Sequence, residues 1–313
     1  MTTNSIVSGL NGRDFLSLTD LSAAEVEGLL ELAQALKSGE ITPHCKKVLG
    51  LLFYKASTRT RVSFSVAMYQ LGGQVIDLNP KVTQVGRGEP LADTARVLDR
   101  YLDVVAIRTF AHSDLEAFAH YANIPVLNAL TDLAHPCQAL ADLLTLRECF
   151  GEIRGTTVTY VGDGSNNVAH SLMLCCALLG VNVRVATPPG FEPHGQMVET
   201  ARQLAGDRAQ VEVLRDPVAA VKGVQAIYTD VWASMGQEAE ARDRIPVFQP
   251  YQVNEDLMTH ADSEVILLHC LPAHRGEEIT DEAIEGPHSR VWDQAENRMH
   301  VQKALLASIL GAV

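Results

Sequence analysis

Clustered hydroxyl and guanidinium groups are the first chemical feature of this sequence. The segment Ser57-Thr58-Arg59-Thr60-Arg61 precedes apolar residues at helical spacing, so it predicts the N-terminus of a helix. Free backbone N–H groups there, with hydroxyls and a guanidinium, suit a phosphate-like anion. Arg59 and Arg61 lie about 200° apart around a helix, so only one can face a ligand, and we expect Arg59. A capped helix with solvated arginines is the alternative.

More candidate donors follow two later strands. Arg108 ends a β-branched run, while His135 and Gln138 flank Pro136 at the start of a predicted helix. An imidazole and an amide placed there can donate hydrogen bonds to a carbonyl or phosphate oxygen. A surface ion pair of Arg108 and a buried structural His135 are the alternatives.

The second half of the chain has its own candidates after strands. Asn167 ends the turn 161–167, Asp230 begins a loop, and Cys270 follows an apolar run. A turn-capping Asp230 and an inert buried Cys270 are the alternatives. The turn lacks the G-x-G-x-x-G spacing, and Ala186 and Thr187 supply no acidic partner after the next strand. This pattern disfavours a nicotinamide cofactor.

Short apolar runs alternate with helical patterns throughout the sequence. We predict strands at 48–53, 75–78, 103–108, 125–128, 156–161, 181–186, 210–214, 224–229 and 264–269. Strands separated by helices form parallel sheets, and ligands bind beyond the carboxyl ends of such strands. The sequence therefore predicts an α/β fold of two doubly wound parallel-sheet domains with an interdomain active-site cleft.

Helix-capping residues and glycines predict where helices begin and end and where the domains meet. Ser22 with Glu25, and Ser113 with Glu116, have the spacing of capping boxes. Helices are predicted at 136–150, ending at Gly151, and at 291–310. The predicted domains are residues 1–134 with 291–313, an interdomain helix at 135–150, and residues 151–290.

Composition and charge exclude several classes of protein. With 313 residues, 47% hydrophobic and 20% charged, the chain is globular and long enough for two domains. Its formal net charge of −13 disfavours nucleic acid and anionic membrane surfaces as partners. The N-terminal residues lack a basic stretch followed by a long apolar run, and no segment approaches about 18 apolar residues, so we expect a cytoplasmic protein without a signal peptide. The six cysteines lack paired metal spacing, so we expect no metal site, and because a reducing compartment disfavours disulfides we expect most of them to be buried thiols.

Seven motifs occur together and carry a family resemblance. They are S-T-R-T-R, R-T-F, H-P-C-Q, G-D-G-S-N-N, D-V-W-A-S-M-G, H-C-L-P and A-E-N-R, in that order. From about residue 15 to 310 the chain resembles the aspartate and ornithine carbamoyltransferase family. Within it, S-M-G and H-C-L-P are similar to the ornithine-specific members. The resemblance implies transfer of the carbamoyl group of carbamoyl phosphate to the δ-amine of L-ornithine, giving L-citrulline and phosphate for arginine biosynthesis, without a cofactor.

The resemblance also assigns roles to residues. It implies carbamoyl phosphate binding by Ser57, Thr58, Arg59, Thr60, Gln84, Arg108, His135, Gln138, Cys270, Leu271 and Arg298. Ornithine contacts are implied for Asn167, Asp230, Ser234 and Met235. The catalytic residues implied are Arg59, Arg108, His135, Asp230 and Cys270. Gln84 matches a residue that reaches a neighbouring subunit, so a homotrimer with sites between subunits is expected.

Departures from the family pattern leave rival functions open. Tyr54 and Ala56 stand where Glu and Pro are frequent, and Ser65 replaces a frequent Glu. These positions flank the implied contacts, so they bear on subunit packing rather than on the reaction. A transcarbamoylase for another amine, such as putrescine or an acylated ornithine, is one rival. A catalytically silent phosphate-binding paralogue is another.

Overall fold

The predicted strands are all present in the computed structural model, which describes residues 6–84, 88–233 and 241–313. Their ends lie within two residues of the predicted ones. The strands are β1 (Val48–Phe53), β2 (Gln74–Leu78), β3 (Val104–Arg108), β4 (Val126–Leu130), β5 (Thr157–Val161), β6 (Asn182–Ala186), β7 (Val211–Leu214), β8 (Ala226–Thr229) and β9 (Ile266–His269).

These strands form two parallel sheets, as predicted. The four-stranded sheet has the order β2-β1-β3-β4, and the five-stranded sheet has the order β7-β6-β5-β8-β9. In each sheet the chain first moves outward to one side and then crosses to the other. The reversal falls between β1 and β3 in the first sheet and between β5 and β8 in the second. Such reversals open a crevice at the carboxyl ends of the strands, where ligands bind.

Helices connect the strands and cover the sheets. They are α1 (Ala23–Ser38), α2 (Thr58–Gln70), α3 (Leu91–Leu98), α4 (His112–Tyr121), α5 (Pro136–Phe150), α6 (Asn167–Leu179), α7 (Gly195–Ala205), α8 (Pro217–Val221), α9 (Ala241–Phe248), α10 (Glu255–Met258), α11 (Asp281–Glu285) and α12 (Val291–Ile309). The predicted helices at 136–150 and 291–310 are thus confirmed to within one residue.

The chain divides into two compact units. Unit 1 contains Met1–Leu144 and Asn297–Val313, and unit 2 contains Thr145–Glu296. The division falls inside α5 and inside α12. Unit 1 holds the four-stranded sheet and unit 2 the five-stranded one.

Each unit has its own apolar core. In unit 1, Leu52, Val105 and Ile107 of the sheet pack with Leu115 and Phe118 of α4. In unit 2, the residues between Val168 and Leu179 in α6 are all buried. Burial on every side explains why α6 is mostly apolar, although it also buries the polar side chains of His170 and Ser171.

One of the two predicted capping boxes is present. The Ser22 hydroxyl accepts from the Glu25 N–H at 3.3 Å, and the Glu25 carboxylate accepts from the Ser22 N–H at 2.7 Å. The box at Ser113 is wrong, because α4 begins at His112 and Ser113 therefore lies inside the helix; the N-cap is Ala111, which has no side-chain cap. The first N–H of α4 instead donates to a carboxylate distant in sequence, Asp132 Oδ1, at 2.9 Å.

Across the described parts of the chain, every helix is too short or too polar to traverse a lipid bilayer.

Candidate active site

The first turn of α2 exposes the predicted anion-binding groups in unit 1. Ser57 is the N-cap, and its hydroxyl accepts from the Thr60 N–H at 3.3 Å. Thr58 and Arg59 are exposed. Arg61 points elsewhere: it pairs with Asp77 and its guanidinium lies 4.9 Å from the ring centre of Phe53. Arg59 is therefore the guanidinium of this turn that remains open to a ligand.

Two buried arginines converge on the Thr60 hydroxyl. Arg298 Nη2 donates to Thr60 Oγ1 at 3.0 Å, and Arg108 Nη1 lies 3.5 Å from the same oxygen. Arg108 and Arg298 are only 5% and 6% exposed. Burying two like charges side by side is unfavourable in the absence of an anion. The arrangement is thus chemically suited to a phosphate group.

Gln138 fixes the orientation of Arg298. Gln138 Oε1 accepts from Arg298 Nη1 at 2.6 Å, while Gln138 Nε2 donates to Asp142 Oδ1 at 2.8 Å. A guanidinium only donates and a carboxylate only accepts, so the two partners determine which way the Gln138 amide faces. Asp142 is fully buried and was absent from the sequence-based prediction.

His135 lies beside this cluster as a neutral imidazole. Burial lowers the pKa of His135 well below its usual value, and the charges of Arg298 and Arg108 lower that pKa further. The backbone carbonyl of His135 accepts from the Gln138 N–H at 3.0 Å. A neutral imidazole retains one N–H donor and adds no further charge to the cationic cluster.

Unit 2 presents a buried carboxylate, Asp230, directly after β8. Asp230 Oδ1 accepts from Cys270 Sγ and from the Val231 N–H, both at 2.9 Å. Asp230 Oδ2 accepts from Asn166 Nδ2 at 3.3 Å. Burial raises the pKa of Asp230, and the hydrogen bonds from Cys270 Sγ and the Val231 N–H oppose that rise. The predicted residues Asp230 and Cys270 are therefore in direct contact.

The residue next to the predicted Asn167 makes the contact with Asp230. Asn166 is the N-cap of α6 and is 6% exposed, whereas Asn167 begins the helix and is half-buried. Asn166 Nδ2 also donates to the hydroxyl of Tyr160 at 2.6 Å. The spacing in G-D-G-S-N-N marks both asparagines, but it contains no signal that separates their roles.

His269 fixes the turn that contains Cys270 and Leu271. Leu271 adopts φ +58°, a left-handed conformation unfavourable for leucine, and its N–H donates to His269 Nδ1 at 2.8 Å. His269 Nδ1 is therefore unprotonated, so Nε2 carries the proton and donates to Glu278 Oε1 at 3.1 Å. Both His269 and Glu278 are buried.

Hydrogen bonding occupies the imidazole that could otherwise bind a metal here. Donor atoms of Asp230, His269 and Cys270 lie within 4.8 Å of one another. However, His269 Nδ1 accepts from the Leu271 N–H and Nε2 faces Glu278. With its lone pair so used, His269 has none to offer a cation, and the arrangement favours a hydrogen-bonded network.

Four predicted site residues remain, of which two lie among the described residues. Gln84 is exposed in unit 1, and Leu271 is half-buried in unit 2. Ser234 and Met235 lie outside the described residues.

A cavity of about 350 Å³ in unit 2 contains none of the predicted residues. It is lined by residues within 255–265 and 282–288. Of its three carboxylates, Glu255 and Glu282 are exposed and Asp262 is half-buried. The chemistry described above lies instead at the carboxyl ends of the strands.

Most of the chain matches one family of enzymes. Residues 13–148 match the family model "Aspartate/ornithine carbamoyltransferase, carbamoyl-P binding domain", and residues 154–309 match the model of its "Asp/Orn binding domain". The chain belongs to the aspartate/ornithine carbamoyltransferase family.

Three similar proteins are named ornithine carbamoyltransferases. An ornithine carbamoyltransferase of Thermosynechococcus vestitus is 68% identical over 305 residues, covering 97% of this chain and 98% of the relative. The ornithine carbamoyltransferase structure from Pyrococcus furiosus has a TM-score of 0.93 at 52% identity, covering 97% and 99% of the two chains. The one from Gloeobacter violaceus has a TM-score of 0.88 at 56% identity, covering 96% and 99%.

The neutral state of His135 makes stability depend on pH. Below about pH 6.5 His135 is protonated in the unfolded chain but stays neutral in the folded chain. The free energy of unfolding therefore falls as the pH falls. Between about pH 7 and pH 5, His135 should cost about 2 kcal/mol of unfolding free energy. His135→Gln should remove this part of the slope in denaturant titrations. His260→Gln, at an exposed histidine, is the control; parallel curves for the wild type and His135→Gln would exclude this effect.

Proposed function

We propose that this chain catalyses transfer of the carbamoyl group from carbamoyl phosphate to the δ-amine of L-ornithine, giving L-citrulline and phosphate. Membership of the family supports carbamoyl transfer, and the named relatives support ornithine as the acceptor. Two observations, one in each unit, carry the proposal: two buried arginines lie against the Thr60 hydroxyl in unit 1, and unit 2 buries the carboxylate of Asp230. The related anabolic enzyme of Campylobacter jejuni supports a role in arginine biosynthesis.

Carbamoyl phosphate binding is assigned to residues 1–134 with 291–313. Arg59, Arg108 and Arg298 bind the phosphate together with the helix N-terminus formed by Ser57, Thr58 and Thr60. Neutral His135 donates to the carbamoyl oxygen, and Gln138 holds Arg298 in place. These donors stabilise the charge that develops on the tetrahedral intermediate and on the departing phosphate.

Ornithine binding is assigned to residues 151–290, with the helix 135–150 as the connection between the two domains. Asn167, Asp230, Ser234 and Met235 contact ornithine, while Cys270 and Leu271 complete the carbamoyl site. An alkylammonium with a pKa near 10.4 costs about 4 to 5 kcal/mol to deprotonate at pH 7. A carboxylate favours the charged amine, so Asp230 positions the substrate rather than activating it.

A panel of amines tests the function directly. Ureido-product formation from carbamoyl phosphate is measured with L-ornithine, putrescine and Nα-acetyl-ornithine. We expect citrulline from ornithine and at least about 100-fold lower kcat/KM with the other two, because a site with paired polar groups rejects a ligand that leaves them unsatisfied. A preference for putrescine would identify the rival transcarbamoylase. No product from any amine would favour a phosphate-binding paralogue.

Two neighbouring arginines provide a matched test of the phosphate site. Arg59→Met should lower kcat/KM for carbamoyl phosphate by about 100-fold or more, as loss of a preorganised donor does. Arg61→Met makes the same chemical change on the same helix, but Arg61 pairs with Asp77, so its kinetics should stay close to the wild type. Thermal unfolding verifies that both variants fold. Equal kinetic effects of the two changes would remove Arg59 from the site.

A homotrimer with active sites at subunit interfaces is part of the proposal. Large apolar side chains are exposed on α2 and on the adjacent edge strand β2: Val62, Val66, Tyr69 and Ile76. Exposed large apolar side chains on a helix and on an edge strand are typical of an interface. Gln84, six residues after β2, is exposed and free of the core, as a residue reaching a neighbouring subunit must be.

Light scattering on the purified protein tests the assembly. We expect a mass of about three times the 34.0 kDa chain. Tyr69→Glu places a charge on the exposed apolar face and should reduce the trimer fraction, whereas Tyr101→Glu, at another exposed tyrosine, is the control. A monomeric wild type would overturn this part of the proposal.

A cytoplasmic location is the last part of the proposal. The six cysteines are all free thiols, and four of them are buried. Such cysteine usage is typical of a reducing compartment.

A further inference from the structure

Asn166 uses its side-chain oxygen to begin α6. Asn166 Oδ1 accepts from the Ala169 N–H at 2.8 Å, which is the usual bond of a helix N-cap. Because the oxygen faces a backbone donor, the orientation of the amide is determined. The nitrogen, Nδ2, therefore points away from the helix.

That nitrogen lies between two buried oxygens. Asn166 Nδ2 donates to the Tyr160 hydroxyl at 2.6 Å and to Asp230 Oδ2 at 3.3 Å. Tyr160, Asn166 and Asp230 are 0%, 6% and 6% exposed. An amide nitrogen carries two hydrogens, so these two acceptors use both of them.

The bond from Asn166 leaves the Asp230 carboxylate in one orientation. Oδ1 accepts from Cys270 Sγ and the Val231 N–H, and Oδ2 accepts from Asn166. An ionised carboxylate has about four acceptor positions. Among the described residues, these three donors fill three of them and leave the fourth on Oδ2, the oxygen that Asn166 holds.

We propose that Asn166 is a positioning residue that fixes the Asp230 carboxylate so that Oδ2 accepts an amine hydrogen of the substrate. The inference rests on the proposed function and extends it to a residue that does not itself contact the reacting atoms. It assigns different roles to the adjacent asparagines: Asn167 contacts the substrate and Asn166 orients the group that binds it.

The surroundings of Asp230 make its charge sensitive to one donor. On the side of β9, burial and Glu278 disfavour the charged form and the hydrogen bond from Cys270 favours it, while the buried ring of His269 lies on the same side. On the side of β5, Tyr160 lies near Asp230, and Asp163 lies near Tyr160. Asp163 is itself paired with Arg244 at 2.8 Å. With burial raising the pKa of Asp230, each hydrogen bond to the ionised form opposes that rise.

Two substitutions separate positioning from capping. Serine and aspartate are N-caps as good as asparagine, so Asn166→Ser and Asn166→Asp both preserve the start of α6. Asn166→Ser removes the donor to Asp230, and Asn166→Asp replaces it with a like charge. Both changes should raise the pKa of Asp230, the second more than the first.

The readout is the ratio of variant to wild-type kcat/KM for ornithine as a function of pH. The ionisation of ornithine itself is common to both enzymes and cancels in the ratio. We expect the ratio to fall as the pH is lowered, by about threefold for Asn166→Ser and about tenfold for Asn166→Asp, because each change raises the pKa of Asp230. The KM for ornithine should rise while the KM for carbamoyl phosphate stays unchanged.

Asn254 provides the matched control in the same unit. Its side chain accepts from the Leu257 N–H at 2.9 Å and caps α10. Asn254→Ser and Asn254→Asp change a cap in the same way without touching Asp230. Their ratios should not vary with pH.

The outcomes distinguish this inference from the proposed function. If the wild type makes citrulline but the ratios for both Asn166 variants are independent of pH, Asn166 acts as a helix cap alone. This outcome would overturn the inference and leave the proposed function intact. If Asn166→Asp failed to fold, Asn166→Ser against Asn254→Ser would decide in the same way. A wild type that made no citrulline would overturn the proposed function, and this inference with it.

Discussion

The order of the parallel strands is the constraint on which the candidate site depends. In unit 1 the strands β1, β3 and β4 end side by side. Arg108 ends β3, and Thr60 and His135 follow β1 and β4, so all three residues lie at one edge of the sheet. In unit 2 the neighbours β5, β8 and β9 do the same for Asn166, Asp230 and Cys270. Because the reversal in strand order separates the adjoining helices, these ends are free for ligands. A change in strand order would scatter the same side chains.

The two units bury charges of opposite sign within one acidic chain. Unit 1 gathers two buried guanidiniums on a hydroxyl despite the overall net charge of −13, and it keeps His135 neutral beside them. Unit 2 buries a carboxylate and surrounds it with an S–H, an N–H and an amide donor. In both units, short-range donors decide the local charge, because screening weakens the long-range field of the remaining surface charges.

Local pattern was sufficient for much of the fold. The strands, the sheet type, the capping box at Ser22 and the helix at 136–150 follow from periodicity and punctuation, which act over a few residues. The failure at Ser113 has a tertiary cause, since Asp132 satisfies the first N–H of α4. Asp142 was missed because its role is a contact with Gln138, and Asn166 because its role is a contact with Asp230. Neither contact can be predicted from the spacing of residues in the sequence.

The sequence by itself determined which chemical groups follow which strands, because side-chain identity and the alternation of strands and helices are both local properties. It also determined the family, through seven motifs in a set order. Only the tertiary structure decided that Arg298 of α12 joins Thr60 of α2, that Arg61 turns towards Asp77, and that Asn166 rather than Asn167 holds Asp230. These contacts depend on the packing of distant segments and on the direction in which each side chain leaves the backbone.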